Sequence, residues 1–250
     1  MQKIRIIPTL LTDGKTLVKG EQFNSWRTVG SVPAAARLFS FRNVDELMLL
    51  DVKATLENRI VDTVIVADFA SVLRVPFSVG GGIDSLEKIA KVLRSGAEKV
   101  VIGSAAFQND KFIGDAANRF GSQALIAAVD VIDLSEGLIG INSGKKEMQV
   151  NFSDAVKRFE SLGVGEILLQ SIKHDGMLMG MNFEAIKVFS ELTNLPVIAS
   201  SGASNHDDFL KAVQAGASAV AAGGVFQFRE VTPSTVRNHL TINKIPVRIT

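Results

Sequence analysis

Cysteine is absent from the 250 residues, which excludes a disulfide framework, a thiolate metal site and a catalytic thiol. An excess of either charge is also missing, since 27 lysines and arginines face 26 aspartates and glutamates. No overall positive field therefore points to nucleic acid. No apolar run approaches the roughly 20 residues that span a bilayer, and the opening MQKIRIIP has too short an apolar part for a signal peptide. His174, His206 and His239 share no metal-ligand spacing. Neither metal nor cofactor is implied, and His206 and His239 read as surface residues. No linker or low-complexity tract breaks the chain. The expectation is a soluble, cytoplasmic protein forming one domain over residues 1–250.

Hydrophobic residues make up 46% of the chain and are spread throughout, enough for a large core. Short apolar runs (IRIIPTL, DELMLLD, PFSVGG, KVVIGS, ALIAAVD, EILLQS, PVIASSG, AVAAGGV) alternate with amphipathic ones. The latter include SLEKIAKVLRSG, KFIGDAANRFG, FSDAVKRFESLG, FEAIKVFSELT and NHDDFLKAVQAG, several ending in a glycine suited to a helix C-cap. Eight βα units in a chain of this length predict an α/β fold, a (βα)8 barrel. An open doubly wound sheet is the alternative, because a strand count does not show closure.

An internal repeat favours the barrel. At an offset of 120 residues Pro76 meets Pro196, Gly82 meets Gly202, Gly96 meets Gly216 and Gly103 meets Gly223. Glu46 likewise meets Glu166. Two homologous half-barrels, roughly residues 1–120 and 121–250, account for these coincidences. In each half a strand runs into a glycine-rich turn and then a helix: Gly80, Gly81 and Gly82 in the first, Ser201, Gly202 and Ala203 in the second. The next strand ends at Gly103 and Ser104, and in the second half at Gly223 and Gly224. Glycine lets backbone N–H groups approach an anion, and a helix start adds a favourable dipole. Two such sites would suit a substrate with a phosphate at each end. The plainer reading is that the glycines only make tight turns.

At these motifs the sequence resembles the cyclase subunits of imidazole glycerol phosphate synthase, a histidine-biosynthesis family. RIIP, LVKG, DELMLLDV, VGGGI, GAEKV, RFGSQ, SGKK, GEILLQSI, HDGMLMG and VFQF carry the resemblance over essentially the whole chain. It implies a (βα)8 barrel partnered by a glutaminase at its N-terminal face. Ammonia would cross the barrel to a bis-phosphorylated ribulosyl intermediate and give imidazole glycerol phosphate and an aminoimidazole nucleotide.

The resemblance also implies roles for particular residues. Arg5, Glu46, Lys99 and Glu166 match a salt-bridged ring taken as the ammonia gate, and Glu98 matches an acidic residue facing the glutaminase. From the residues alone the four charges could equally be a stability ring, since near-core charges are costly unless paired. Asp130 matches one of two aspartates acting as general acid and base, a pairing that suits ring closure. Lys19 matches a substrate-loop lysine, and Asp51 and Asp175 match acidic positions near substrate. Each of the last two alone could be a helix cap or loop carboxylate.

The second catalytic aspartate of the family falls at Leu11 here. Leucine transfers no proton, so ordinary cyclisation is expected to be badly slowed or absent. Asp13 matches a loop aspartate instead, although a slipped strand would bring it inward. Gln170, Lys173, Ser201 and Gly103 also depart from the family pattern, whereas the ring is intact. A diverged paralogue is the resulting expectation. One form of it passes ammonia to a separate amidotransferase that amidinates a bacterial surface-polysaccharide sugar. His174 is a further candidate for substrate contact, and Phe23, Trp26 and Arg27 for a lid.

Overall fold

The structure, a computed structural model, describes residues 3–42 and 44–248. Its eight apolar runs become eight strands: β1 (Arg5–Thr12), β2 (Leu47–Asp51), β3 (Phe77–Gly80), β4 (Lys99–Ile102), β5 (Leu125–Asp133), β6 (Glu166–Ser171), β7 (Val197–Ala199) and β8 (Ala219–Ala222). Each is parallel to the next. β8 returns to β1 with Arg5 opposite Ala219 and Pro8 opposite Ala222. The sheet is therefore closed, which makes it a (βα)8 barrel and removes the open-sheet alternative.

The helices surround it in chain order: α1 (Val32–Ser40), α2 (Thr63–Val72), α3 (Leu86–Arg94), α4 (Asp110–Phe120), α5 (Phe152–Leu162), α6 (Phe183–Leu192), α7 (His206–Gln214) and α8 (Pro233–Ile242). Local chemistry sets their ends. Ser85 accepts the Lys88 N–H at the start of α3, Asn205 and Asp208 cap α7 reciprocally, and left-handed Gly163 terminates α5. α2 opens instead on a β-branched run, residues 63–66. Propensity disfavours a helix there, and burial of Val66 and Phe69 against the barrel outweighs it.

The 120-residue offset reappears in the elements. α3 and α7, β4 and β8, and the short helices Ser104–Gln108 and Gly224–Phe228 lie at that offset, and Gly96 and Gly216 share φ +108°. The AVAAGGV run divides here: its last residues enter the short helix rather than the strand.

Two antiparallel hairpins extend from the barrel. Leu17–Glu21 pairs with Asn24–Gly30 after β1, and Leu138–Ile141 pairs with Lys146–Gln149 after β5. The first turns through Gln22 and Phe23, both at positive φ without being glycine. That is why no glycine punctuated the turn in the sequence. Lys145 Nζ donates to Asn24 Oδ1 at 3.1 Å and ties the two hairpins together.

Most of the core lies between barrel and helices and is rich in phenylalanine, including Phe39, Phe69, Phe159, Phe189 and Phe209. A second cluster fills the barrel: Ile7, Met48, Val101, Ile126, Leu168 and Ile198, with Ala128, Ala219 and Ala221. Phe159 of α5 meets Phe107 edge-on at 5.2 Å and so anchors the short helix beside Gly103. Phe159→Ala should cost about 3–5 kcal/mol in urea denaturation. Phe41→Ala, at a side chain 86% exposed, should change stability by less than about 0.5 kcal/mol.

Candidate active site

Alternation along β1 sends Arg5, Ile7, Thr9 and Leu11 inward. The first is at the N-terminal mouth and the last at the C-terminal one. The two ends of the barrel are therefore lined by chemically different residues.

At the N-terminal end four charges close a ring. Arg5 donates to Glu46 at 2.8 Å and to both oxygens of Glu166; Lys99 donates to Glu166 at 2.6 Å and to both oxygens of Glu46 at 3.3 Å. Arg5, Glu46 and Glu166 are buried. Burial opposes charge at Arg5, but the two carboxylates overcome it and hold the guanidinium above its ordinary range. Burial would likewise raise Glu166, yet its bonds to Arg5 and Lys99 leave it below the usual carboxylate value. Exposed Glu98 stands next to Lys99 and accepts the Phe77 N–H at 2.8 Å.

At the C-terminal end lies a cavity of about 550 Å³. It is lined by both glycine turns: Gly80, Gly81, Gly82, Gly103 and Ser104 from one half, Ser201, Gly202, Gly223 and Gly224 from the other. The two sets sit four strands apart and face each other. Gly82 is at φ +65°, and a Cβ there would lie 1.9 Å from the Arg59 carbonyl, so only glycine fits. Ser201 adopts φ +76° despite its side chain, and its hydroxyl donates to Asp175 Oδ1 at 3.2 Å.

Asp130, Asp175, Asp51, Lys19, Leu11 and Gln170 line the same cavity. Asp130, at the end of β5 beside Gln170, has an Oδ1 that is shut off from solvent and lacks a hydrogen-bond partner among the described residues. Burial, and next the charge of Asp175, push its pKa up to about 7. Asp175 is pushed up to about 6 by burial, against the pull of Ser201, the Phe23 N–H and Lys19. Lys19 extends from the first hairpin, its Nζ 4.8 Å from the centre of the Phe228 ring. Phe23 and Trp26 of the same hairpin line the cavity, and Arg27 does not.

Asp51 is placed differently. It accepts the Lys53 and Ala54 N–H groups and two bonds from Arg59, at 2.5 and 3.1 Å. Its charge is thus neutralised within the wall. Those bonds lead in holding Arg59 above its ordinary range. Arg59 also donates to the Asp13 carbonyl at 3.0 Å. Sequence reasoning missed Arg59, because loop closure rather than any spacing brings it to Asp51.

Asp13, Lys173 and His174 lie outside the cavity. Asp13 turns back to accept the Lys15 and Thr16 N–H groups, so β1 has not slipped and Leu11 faces inward. Lys173 pairs with Asp133 at 2.8 Å, and His174 bonds Ser171 Oγ at 2.8 Å. His206 and His239 stand 5.8 Å apart on α7 and α8, bonded to Thr235 and paired with Asp207 respectively.

A model of the family described as histidine biosynthesis protein matches residues 5–232. Over 98% of both chains the sequence is 39% identical to imidazole glycerol phosphate synthase subunit HisF of Dictyoglomus thermophilum. It is 38% identical over 98% of both to the protein of that name from Thermobifida fusca. A putative imidazole glycerol phosphate synthase subunit hisF2 of Campylobacter jejuni is 34% identical over the full length of both.

The raised pKa of Asp130 has a consequence for stability. The unfolded chain ionises this group near 3.8 and the folded chain near 7. Folding therefore loses stability as pH rises between those values, and the loss is complete above the folded pKa. Asp130→Asn should raise stability by about 1–3 kcal/mol at pH 8, and by less at pH 5, in urea titrations at the two pH values.

Proposed function

From its membership of the histidine biosynthesis protein family, to which this chain belongs, we propose that it is the synthase (cyclase) subunit of a glutamine-dependent complex. In this reading a glutaminase docks at the N-terminal face, around Glu98 and the ring. Ammonia enters through the ring, crosses the barrel and reacts with a bis-phosphorylated ribulosyl-type substrate in the C-terminal cavity. The carrying observation is that one cavity gathers two facing glycine turns with Asp130 on its wall, while the charged ring closes the opposite mouth. Backbone N–H groups of the turns would take the two phosphates, Lys19 adding charge beside Gly224. The repeat that supplies the two turns would reflect two joined half-barrels.

The barrel interior suits this passage. Its Ile7, Met48, Leu168 and Ile198 side chains oppose a charged ammonium far more than neutral ammonia. At the ring every charged group is bonded to two others, so passage requires one bond to open. Asp130, protonated in part at neutral pH, would then serve as the proton donor in ring closure.

Leu11 favours a second reading. Its apolar side chain occupies the wall where the resemblance puts a carboxylate. On that reading ring closure is lost, and ammonia passes to a partner amidotransferase for amidination of a surface-polysaccharide sugar. The deciding assay supplies the bis-phosphorylated ribulosyl intermediate and saturating ammonium to the wild type and to Leu11→Asp. We expect slow but measurable turnover by the wild type, and a gain of about a hundredfold in the variant. Inertness of both would sink the cyclase reading and leave amidination standing.

A further inference from the structure

We infer that Asp175 takes over the proton transfer that strand β1 lost at Leu11, working with Asp130 as a carboxyl pair that Ser201 helps to hold. This rests on the synthase reading of the cavity, and it assigns chemistry to a group that otherwise only borders substrate.

Three features point to it. Asp130 Oδ1 is buried in the cavity wall with no partner among the described residues, so no donor there holds the carboxyl in its ionised form. Asp175 lines the same cavity, close enough for its charge to act on Asp130. It is also oriented: the Ser201 hydroxyl donates to its Oδ1 at 3.2 Å, and the Phe23 N–H of the first hairpin donates to the carboxylate. Ser201 holds φ +76°, a left-handed conformation that is strained for a non-glycine residue. A glycine would avoid that strain and could not make the bond.

The two carboxyls are unequal in the direction the chemistry needs. Asp130 has the more depleted surroundings and is the acid. Asp175 is bonded to two donors and faces Lys19, and is the base. Asp51 contributes little, being neutralised by Arg59, while Gln170 beside Asp130 is uncharged and His174 is turned to Ser171. In ring closure the incorporated nitrogen bonds the carbon that carries the aminoimidazole and the C–N bond to that nucleotide breaks, the protonated Asp130 giving its proton to the departing nitrogen. The ionised Asp175 accepts the proton released from substrate. Passing that proton to Asp130 restores both groups, so the cycle needs no further reactant.

Asp175→Asn tests this in two backgrounds, wild type and Leu11→Asp, with ammonium as nitrogen donor. We expect kcat to fall about a hundredfold or more in the first with KM little changed, and far less in the second, where β1 again carries a carboxylate. An equal loss in both backgrounds would overturn the inference, because a residue that only binds substrate or supports the fold is needed in both. Ser201→Gly should shift the pH profile of kcat without abolishing turnover. A carboxyl titration by carbon-13 NMR needs no substrate and so separates this inference from the synthase reading. If the wild type proves inert, a fall in the Asp130 midpoint on Asp175→Asn, by about half a pH unit, still establishes the pair. An unmoved midpoint means the two groups are uncoupled, and the inference fails.

Discussion

Closure of the sheet, sealed by parallel pairing of β8 with β1, is the constraint on which the other features depend. Once eight strands run the same way round a closed cylinder, alternate side chains have no destination except the interior. Residues at strand starts must then meet at one mouth, and residues at strand ends at the other. Arg5, Glu46, Lys99 and Glu166 come from four separate strands yet share six hydrogen bonds because their strands begin at one end. The glycine turns and Asp130 collect at the opposite end for the same reason.

The two mouths solve different electrostatic problems. At the N-terminal mouth buried charges are matched two against two, and the desolvation cost is met by mutual bonding. At the C-terminal mouth the carboxyls are left short of partners. Asp130 and Asp175 keep raised pKa values because protein surrounds them without neutralising them. Asp51, bonded to Arg59 eight residues along the chain, shows the contrast: the same residue type in the same cavity wall, with its charge fully answered. One mouth is thus closed by matched charge, and the other opens into a cavity whose carboxyls are unmatched.

Much of this was legible in the sequence. The alternation of apolar runs with amphipathic segments, and the 120-residue repeat of glycines, specified eight βα units and where their turns fall. α3 and α7 begin and end at equivalent residues because Ser85 and Asn205 cap them and Gly96 and Gly216 follow them. Leu11 was singled out only by the family resemblance, and the fold puts it in the cavity wall. The first hairpin was not legible, because Gln22 and Phe23 take positive φ without a glycine to signal it, whereas the second turns through Asn142, Ser143 and Gly144. α2 was hidden behind β-branched residues whose helical state is imposed by packing.

By itself, then, the sequence determined the class of fold, the order of its units, and which residue types reach each end. These are local matters of period, cap and turn. Tertiary structure alone decided which groups interact: Arg59 with Asp51, Ser201 with Asp175, and the first hairpin with the loop after β6, where the Gln22 N–H meets the Asp175 carbonyl at 2.8 Å. It also decided which carboxyls hold their protons. Those outcomes depend on distances across a closed barrel and on how much solvent is excluded. Neither quantity is carried by any one stretch of chain.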